Sequence, residues 1–483
     1  MLFNSFGFLL FFPCVFLLYY ALPFRFRKFL LLASSWYFYM CWKPEFIVLI
    51  LFSTAVDYFC GLGIGRWRQR RGIFLAISLV MNLGLLFFFK YFNFFGQTLT
   101  ALCRAVSIPW SVPVLDIILP VGISFYTFQT LSYTIDVYRG KLAPERDFVT
   151  FALFVSYFPQ LVAGPIERAE NLLPQLKEEH PFSYDNAVSG LKLMAWGFFK
   201  KCVAAAYLAM WVDPVYGNVT AYSGGALVVA TCAFALQIYC DFGGYSDIAR
   251  GCARMMGVEL MVNFRSPYFF SHSIGEYWKR NHISLSEWFH QYVYIPLGGN
   301  RKGRLKKYCF LTVTFFLSGL WHGAAWTFVT WGLLQAVYLI GEDLARRIRP
   351  DTGNTLKPGH FRHVLSILRT FALSCFSLIF FRAGSMGDAL YVVRHLLDGL
   401  ANPLAYGKAA YWAVSPGTVS LAATALSVAL LFVYDLADEH GGAIAAVSRR
   451  PLVVRWCVYV GFLLMLVMLI PRETPAPFIY FQF

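Results

Sequence analysis

Charge is scarce in this chain. Asp, Glu, Lys and Arg make up 14% of its 483 residues, against 58% apolar side chains, and a water-soluble domain has no means of hiding that much apolar surface. No C-x-x-C pair occurs among the 11 cysteines. Neither a disulfide framework nor a zinc site is indicated, and the thiols read as small buried hydrophobes. There is no G-x-S-x-G elbow, no P-loop and no G-x-G-x-x-G, which leaves serine-hydrolase, nucleotidase and dinucleotide-binding chemistry without support. The first 20 residues have no basic n-region and no A-x-A cleavage site, so they are expected to form a first membrane helix, not a secretory signal.

What fills the chain instead is a succession of apolar stretches running from 2–22 to 452–470. Several are shorter than the ~17 to 25 residues of a simple span. The expected fold is therefore an all-α polytopic membrane protein with about 10 to 12 crossings, the remaining stretches being tilted, re-entrant or interfacial. The net charge of +15 is gathered in short clusters: Arg25/Arg27/Lys28, Arg66/Arg68/Arg70/Arg71, Arg301/Lys302/Arg304/Lys306/Lys307 and Arg346/Arg347/Arg349. Clusters between apolar runs mark cytoplasmic loops and do not describe a nucleic-acid surface. The first two clusters bracket one hairpin and the last two bracket another, whose turn carries His322.

His322 lies in Ser318-Gly-Leu-Trp-His-Gly-Ala-Ala-Trp326, roughly 15 residues past the basic cluster. At the helical rise this is ~22 Å of depth, inside a hydrocarbon layer ~30 Å thick. An ionisable side chain there is a functional candidate by default. Gly319, Gly323, Ala324 and Ala325 permit close approach, and Trp321 and Trp326 are expected to wall the ring. A neutral imidazole beside a hydroxyl is what general-base catalysis of acyl transfer requires. A packing histidine hydrogen-bonded between helices is the competing reading of the same residue.

His282 falls in Tyr277-Trp-Lys-Arg-Asn-His-Ile-Ser-Leu-Ser286, within the aromatic-rich, more polar stretch 241–307 that suits interfacial helices or a buried lining. His290 is close to two turns on and is expected to share its face; no carboxylate or cysteine completes a metal site there. His180, His272, His360, His363, His395 and His440 sit near polar residues and read as solvated. The acidic residues in apolar company are Asp57, Asp116, Asp136, Asp241 and Asp247. The last two flank Phe242-Gly-Gly-Tyr-Ser246, which is expected to form a turn, with Arg250, Arg254 or Arg265 as pairing partners. Pro120, Gly122, Pro159, Gly164 and Pro165 break apolar runs, a pattern tolerated at membrane depth only inside protein or around a cavity. The most linker-like segment, Pro350 to Gly359, is short, so residues 1–483 are expected to form one membrane domain.

Several segments together carry a family resemblance: Lys90 to Phe95 (KYFNFF), Pro120 to Gln129 (PVGISFYTFQ), Tyr133 to Gly140, Phe158 to Pro165 (FPQLVAGP), Gln237 to Ala249 (QIYCDFGGYSDIA), His282 to Ser286 (HISLS), Tyr294 to Arg301 (YIPLGGNR), Gly319 to Ala324 (GLWHGA) and Phe478 to Phe483. In order and nearly end to end, they resemble the membrane-bound O-acyltransferases (MBOAT), of the bacterial alginate O-acetyltransferase type. The resemblance implies a ring of tilted helices around a central reaction chamber, in the bacterial inner membrane. It implies His322 and His282 as catalytic residues, with Trp321, Asn281, Trp278, Tyr239, Asp241 and Tyr245 expected to bind substrate. It implies no bound cofactor, cytosolic acetyl-CoA as acyl donor, and a separate exported or membrane-anchored acetyltransferase subunit that completes O-acetylation of an exopolysaccharide or cell-wall polymer. The chain departs from the usual pattern at Asn281, at His290-Gln291 and at Gln335, where a second histidine often stands. A transporter of acyl donor or polymer precursor, or a non-catalytic scaffold, are the readings from other classes.

Overall fold

The computed structural model describes residues 1–266, 268–348, 360–414, 417–439 and 442–471. Among them every regular element is helical and there is no strand. Pro350 to Gly359, His440 and the Phe478 to Phe483 motif lie outside the described residues. The chain divides into two compact units: Met1–Met194 with Ile248–Met261, and Ala195–Asp247 with Val262–Phe483.

The first unit contains α1 (Phe6–Ala21), α2 (Phe24–Met40), α3 (Ile47–Arg66), α4 (Arg71–Leu86), α5 (Phe92–Ala105), α6 (Ile123–Tyr138), α7 (Phe148–Ser156), α8 (Phe158–Leu161), α9 (Ala169–Lys177) and most of α10 (Tyr184–Phe198). Its polar centre is Asp57 on α3, fully buried, which accepts from Ser78 and Asn82 of α4 and from Thr134 of α6. Three donors compensate a buried carboxylate, so this acid is a clamp between three helices. The breaks at Gly122 and Gly164 also belong to this unit. Gly122 has φ +77, and a Cβ there would stand 2.8 Å from the carbonyl oxygen of Leu161. The two broken segments therefore pack on each other, and neither lines the cavity around His322.

The second unit carries the end of α10, a π-helical turn at Phe199–Ala204, α11 (Ala205–Gly217), the greater part of α12 (Gly225–Met255), α13 (Ile274–Arg280), α14 (Ile283–Phe289), α15 (Ile295–Leu297), α16 (Arg304–His322), α17 (Trp326–Ile348), α18 (His360–Arg382), α19 (Met386–His395), α20 (Pro403–Val414), α21 (Thr418–Glu439), α22 (Ala443–Ser448) and α23 (Leu452–Leu469). Aromatic side chains dominate its core, among them Trp196, Phe199, Phe234, Phe328, Trp331 and Phe381.

Seven described helices or joined helix pairs are long and apolar enough to cross a membrane: Pro44–Arg66, Arg68–Ala105, Tyr184–Gly217, Gly225–Met255, Phe361–Arg382, Thr418–Asp438 and Leu452–Leu469, with Phe6–Ala21 a shorter apolar helix. The molecule is an all-α multi-pass membrane protein. The hairpin foreseen between the last two basic clusters is α16 and α17. Its helices meet backbone to backbone: a Cβ on Gly332 would come 2.2 Å from the carbonyl oxygen of Phe315, and one on Gly319 would come 2.4 Å from that of Phe328. Only glycine permits that approach.

Segment 242–246 is not a turn. It is continuous α12, and the two glycines serve packing: a Cβ on Gly244 would meet the Gly197 carbonyl oxygen at 2.7 Å, and one on Gly243 the Lys200 ammonium at 3.2 Å.

Candidate active site

α16 ends at His322 because Gly323 follows in an extended conformation, its N–H still bonded to the Gly319 carbonyl. The helix thus delivers the imidazole at its last position, 5% exposed. Three aromatic rings pack around it: Trp321 and Trp331, each with its centroid 4.9 Å away and nearly perpendicular, and Phe381 of α18 at 5.2 Å. Trp326, expected in this wall, is 51% exposed at the start of α17. Five residues rotate a helix by ~140°. Trp331 is therefore the residue of α17 that faces the histidine.

His282 approaches from a break in the chain. Ser273 caps α13 by accepting from the Glu276 N–H, and Glu276 accepts from the His272 N–H, closing the start of that helix. After seven residues the chain turns at His282, whose backbone is left-handed, φ +44 and ψ +51, before α14 begins. A non-glycine residue pays about 1–3 kcal/mol there, and such strain gathers at functional sites. The ring is 3% exposed, with its centroid 6.1 Å from that of His322 and 4.6 Å from the edge-on ring of Phe242.

Asn263 fixes how this ring is held. Its amide oxygen lies 3.1 Å from His282 Nδ1 and also accepts from Ser284 N–H and Ser284 Oγ, while its Nδ2 donates to Ser246 Oγ. An oxygen facing three donors makes Nδ1 the protonated nitrogen and Nε2 the basic one. Burial pushes the His282 pKa down to about 3; the ring is neutral at physiological pH.

Both imidazoles line one cavity, with room for the centres of water molecules over about 30 Å³. Of the residues singled out in the sequence, Tyr239, Trp278 and Asn281 also line it. Trp321 packs against both histidine rings, 5.8 Å from His282. Tyr239 stacks on Tyr268 at 4.5 Å, and its hydroxyl donates to Asp435 of α21 over 2.9 Å. Trp278 Nε1 donates to Gln335 Oε1 at 3.1 Å, and Gln335 Nε2 donates to Ser377 Oγ at 2.7 Å. Where a second histidine often stands, this chain has an amide that ties α13, α17 and α18 together.

Asp241 and Tyr245 are buried but do not line the cavity. Asp241 pairs with Lys201 and Asp247 with Lys200, each at 2.5 Å. These partners are lysines of the π-helical turn; the extra residue of a π-turn lets two successive lysines face one neighbouring helix. The Lys200 ammonium also sits 5.0 Å over the Tyr239 ring. His290 is exposed and stacks on Tyr294, while His282 sits outside α14 at its left-handed N-cap, so the two rings do not share a face. His180, His272 and His395 are half-buried and hydrogen-bonded, and His363 is exposed. Sequence reasoning missed Asn263, Phe242, Trp331, Phe381 and Asp435. Only Trp331, at helical spacing from the hairpin turn, left a signal that could have found it.

The model of the MBOAT, membrane-bound O-acyltransferase family, matches residues 143–381, which include both histidines. Over 363 residues the chain is 41% identical to the probable alginate O-acetylase AlgI of Azotobacter vinelandii, covering 74% of this chain and 71% of that protein. It is 40% identical to the protein of the same description in Pseudomonas aeruginosa, over 74% and 69% of the two chains. It is 32% identical to the peptidoglycan O-acetyltransferase of Helicobacter pylori, over 77% and 74%. With two buried histidines facing one largely aromatic cavity at the turn of the α16–α17 hairpin, the chain belongs to the membrane-bound O-acyltransferase family.

Proposed function

We propose that this protein takes an acetyl group from cytosolic acetyl-CoA and passes it across the bacterial inner membrane for O-acetylation of an exopolysaccharide of alginate type or a cell-wall polymer. A separate exported or membrane-anchored acetyltransferase subunit completes the transfer to polymer. The observation that carries this reading is the placement of His322 and His282 in one cavity whose other walls are largely aromatic.

In this reading His322 takes the proton of the acceptor hydroxyl as its oxygen attacks the acyl carbon. The carbon–oxygen bond forms, the carbon–sulfur bond of the thioester breaks, and the sulfur leaves as the thiol once it regains a proton. His282 presents its neutral Nε2 on the same cavity, with Asn263 holding the tautomer. Trp331 Nε1 is buried and has no hydrogen-bond acceptor among the described residues. A developing oxyanion needs such an N–H, and in a water-poor site it is worth far more than in water.

Mass spectrometry of surface polymer tests the proposal. Wild-type cells should carry O-acetyl groups; deletion cells, and cells in which His322→Ala protein is inserted at normal abundance, should lose them. Unchanged acetyl content in the deletion strain would exclude the function.

A further inference from the structure

A second cavity adjoins the first, with room for the centres of water molecules over about 20 Å³. Tyr268, Tyr277 and Leu378 line both. The two tyrosines are locked: the Tyr268 and Tyr277 hydroxyls are 3.0 Å apart, Asn281 Nδ2 donates to the Tyr277 hydroxyl at 3.0 Å, and the Tyr268 hydroxyl donates to Asn281 Oδ1 at 3.3 Å. This closed ring of hydrogen bonds holds the aromatic part of the wall in one position. Leu378 supplies the apolar part. It precedes Phe381 by three residues on α18, and Phe381 packs against the His322 ring. Along α18, three residues, a rise of ~4.5 Å, separate Leu378 from Phe381.

We propose that Tyr268, Tyr277 and Leu378 form the end wall of the acyl pocket and make the enzyme selective for acetyl over longer acyl groups. The inference rests on the acyl transfer proposed above and adds which residues set chain length. A methyl group fits between His322 and the wall. Each further methylene presses on a leucine and two tyrosines that cannot rotate without breaking their shared hydrogen bonds. Behind them the second cavity, bordered by Ser374 and Phe371, is the space a longer chain would occupy if the wall were thinned.

The test uses the purified full chain in lipid with acetyl-, propionyl- and butyryl-CoA as donors, and measures the His322-dependent release of CoA from each, by transfer or hydrolysis. Wild type should prefer acetyl, by about 10- to 200-fold for each added methylene, the discrimination a tight apolar pocket gives. Leu378→Ala should raise the butyryl-to-acetyl ratio by at least about 10-fold. Adding Ser374→Phe to that variant refills the second cavity and should return the ratio to the wild-type value. Wild type that transfers butyryl as fast as acetyl overturns the proposal without any variant. A Leu378→Ala protein with an unchanged ratio overturns it as well. No release of CoA from any thioester by wild type overturns both this inference and the reading beneath it, whereas release without length preference overturns the end wall alone.

Discussion

Asn263 and His282 are joined by a contact of 3.1 Å from the amide oxygen to Nδ1, and the same oxygen accepts two further bonds from Ser284. The pairing orients an imidazole that sits at a left-handed backbone position, so a strained residue is held by an amide bonded at both its oxygen and its nitrogen. Asn263→Leu keeps the volume and removes the acceptor, leaving Nδ1 to find another. Loss of such an orienting partner should lower kcat by about 10- to 100-fold with little change in KM. Asn263→Asp, which keeps an acceptor oxygen, should recover part of the rate. Equal rates in wild type and Asn263→Leu would show that the tautomer is not set this way.

A neutral His282 has a consequence for pH. Its pKa is depressed from 6.5 to about 3 by burial, so the stability gained from keeping the ring neutral is complete above the unfolded value and is withdrawn as pH falls toward 3. Between about pH 5 and 9 the ring does not titrate in the folded protein. His282→Asn should therefore lower the whole rate profile without moving its acidic limb. A shift of that limb by about a unit would assign it to His282 and contradict the burial argument.

In the proposed mechanism Trp331 acts through its indole N–H as well as its bulk. Trp331→Phe retains a ring against His322 and deletes the donor. The rate should fall by about 10²-fold or more, the usual effect of losing an oxyanion donor, while membrane abundance stays unchanged. A rate within twofold of wild type would reduce Trp331 to packing.

Asp435 acts at a distance, through Tyr239 and Tyr268. It is fully buried and accepts from the Tyr239 hydroxyl, from Ser266 Oγ and from the Tyr268 N–H. It belongs to α21, beyond the stretch that the family model matches. Asp435→Leu leaves these donors without an acceptor and should raise KM for the acyl donor by about 10-fold, with Asp435→Asn intermediate, because the tyrosine walls loosen while the histidines stay in place. A fall in kcat alone, with KM unchanged, would place Asp435 elsewhere in the mechanism.

Much of this site was legible before any coordinates, and the reasons are physical. A histidine between glycines in an apolar stretch, flanked at helical distance by basic clusters, specifies a hairpin and a buried imidazole, and α16 and α17 carry both. What escaped was information that only three-dimensional packing holds. The pair of glycines at 243 and 244 has the composition of a turn, yet it serves the close approach of the neighbouring helix inside α12. Asp241 and Asp247 find their lysines 40 and 47 residues upstream, on a π-turn with no local signature. Trp326 and Trp331 are equally plausible walls by composition, and the rotation of α17 decides between them. Asp435 lies 196 residues from its tyrosine partner, beyond the reach of any spacing rule.

The most direct measurement of the account is transfer of labelled acetyl from acetyl-CoA by purified protein in lipid, comparing wild type with His322→Ala at matched folding and abundance. The proposed chemistry predicts His322-dependent release of CoA, by transfer or hydrolysis, and a loss of about 10²- to 10⁴-fold or more in the variant. Full transfer by His322→Ala, or uptake of the donor with no acyl group moved by wild type, would contradict it.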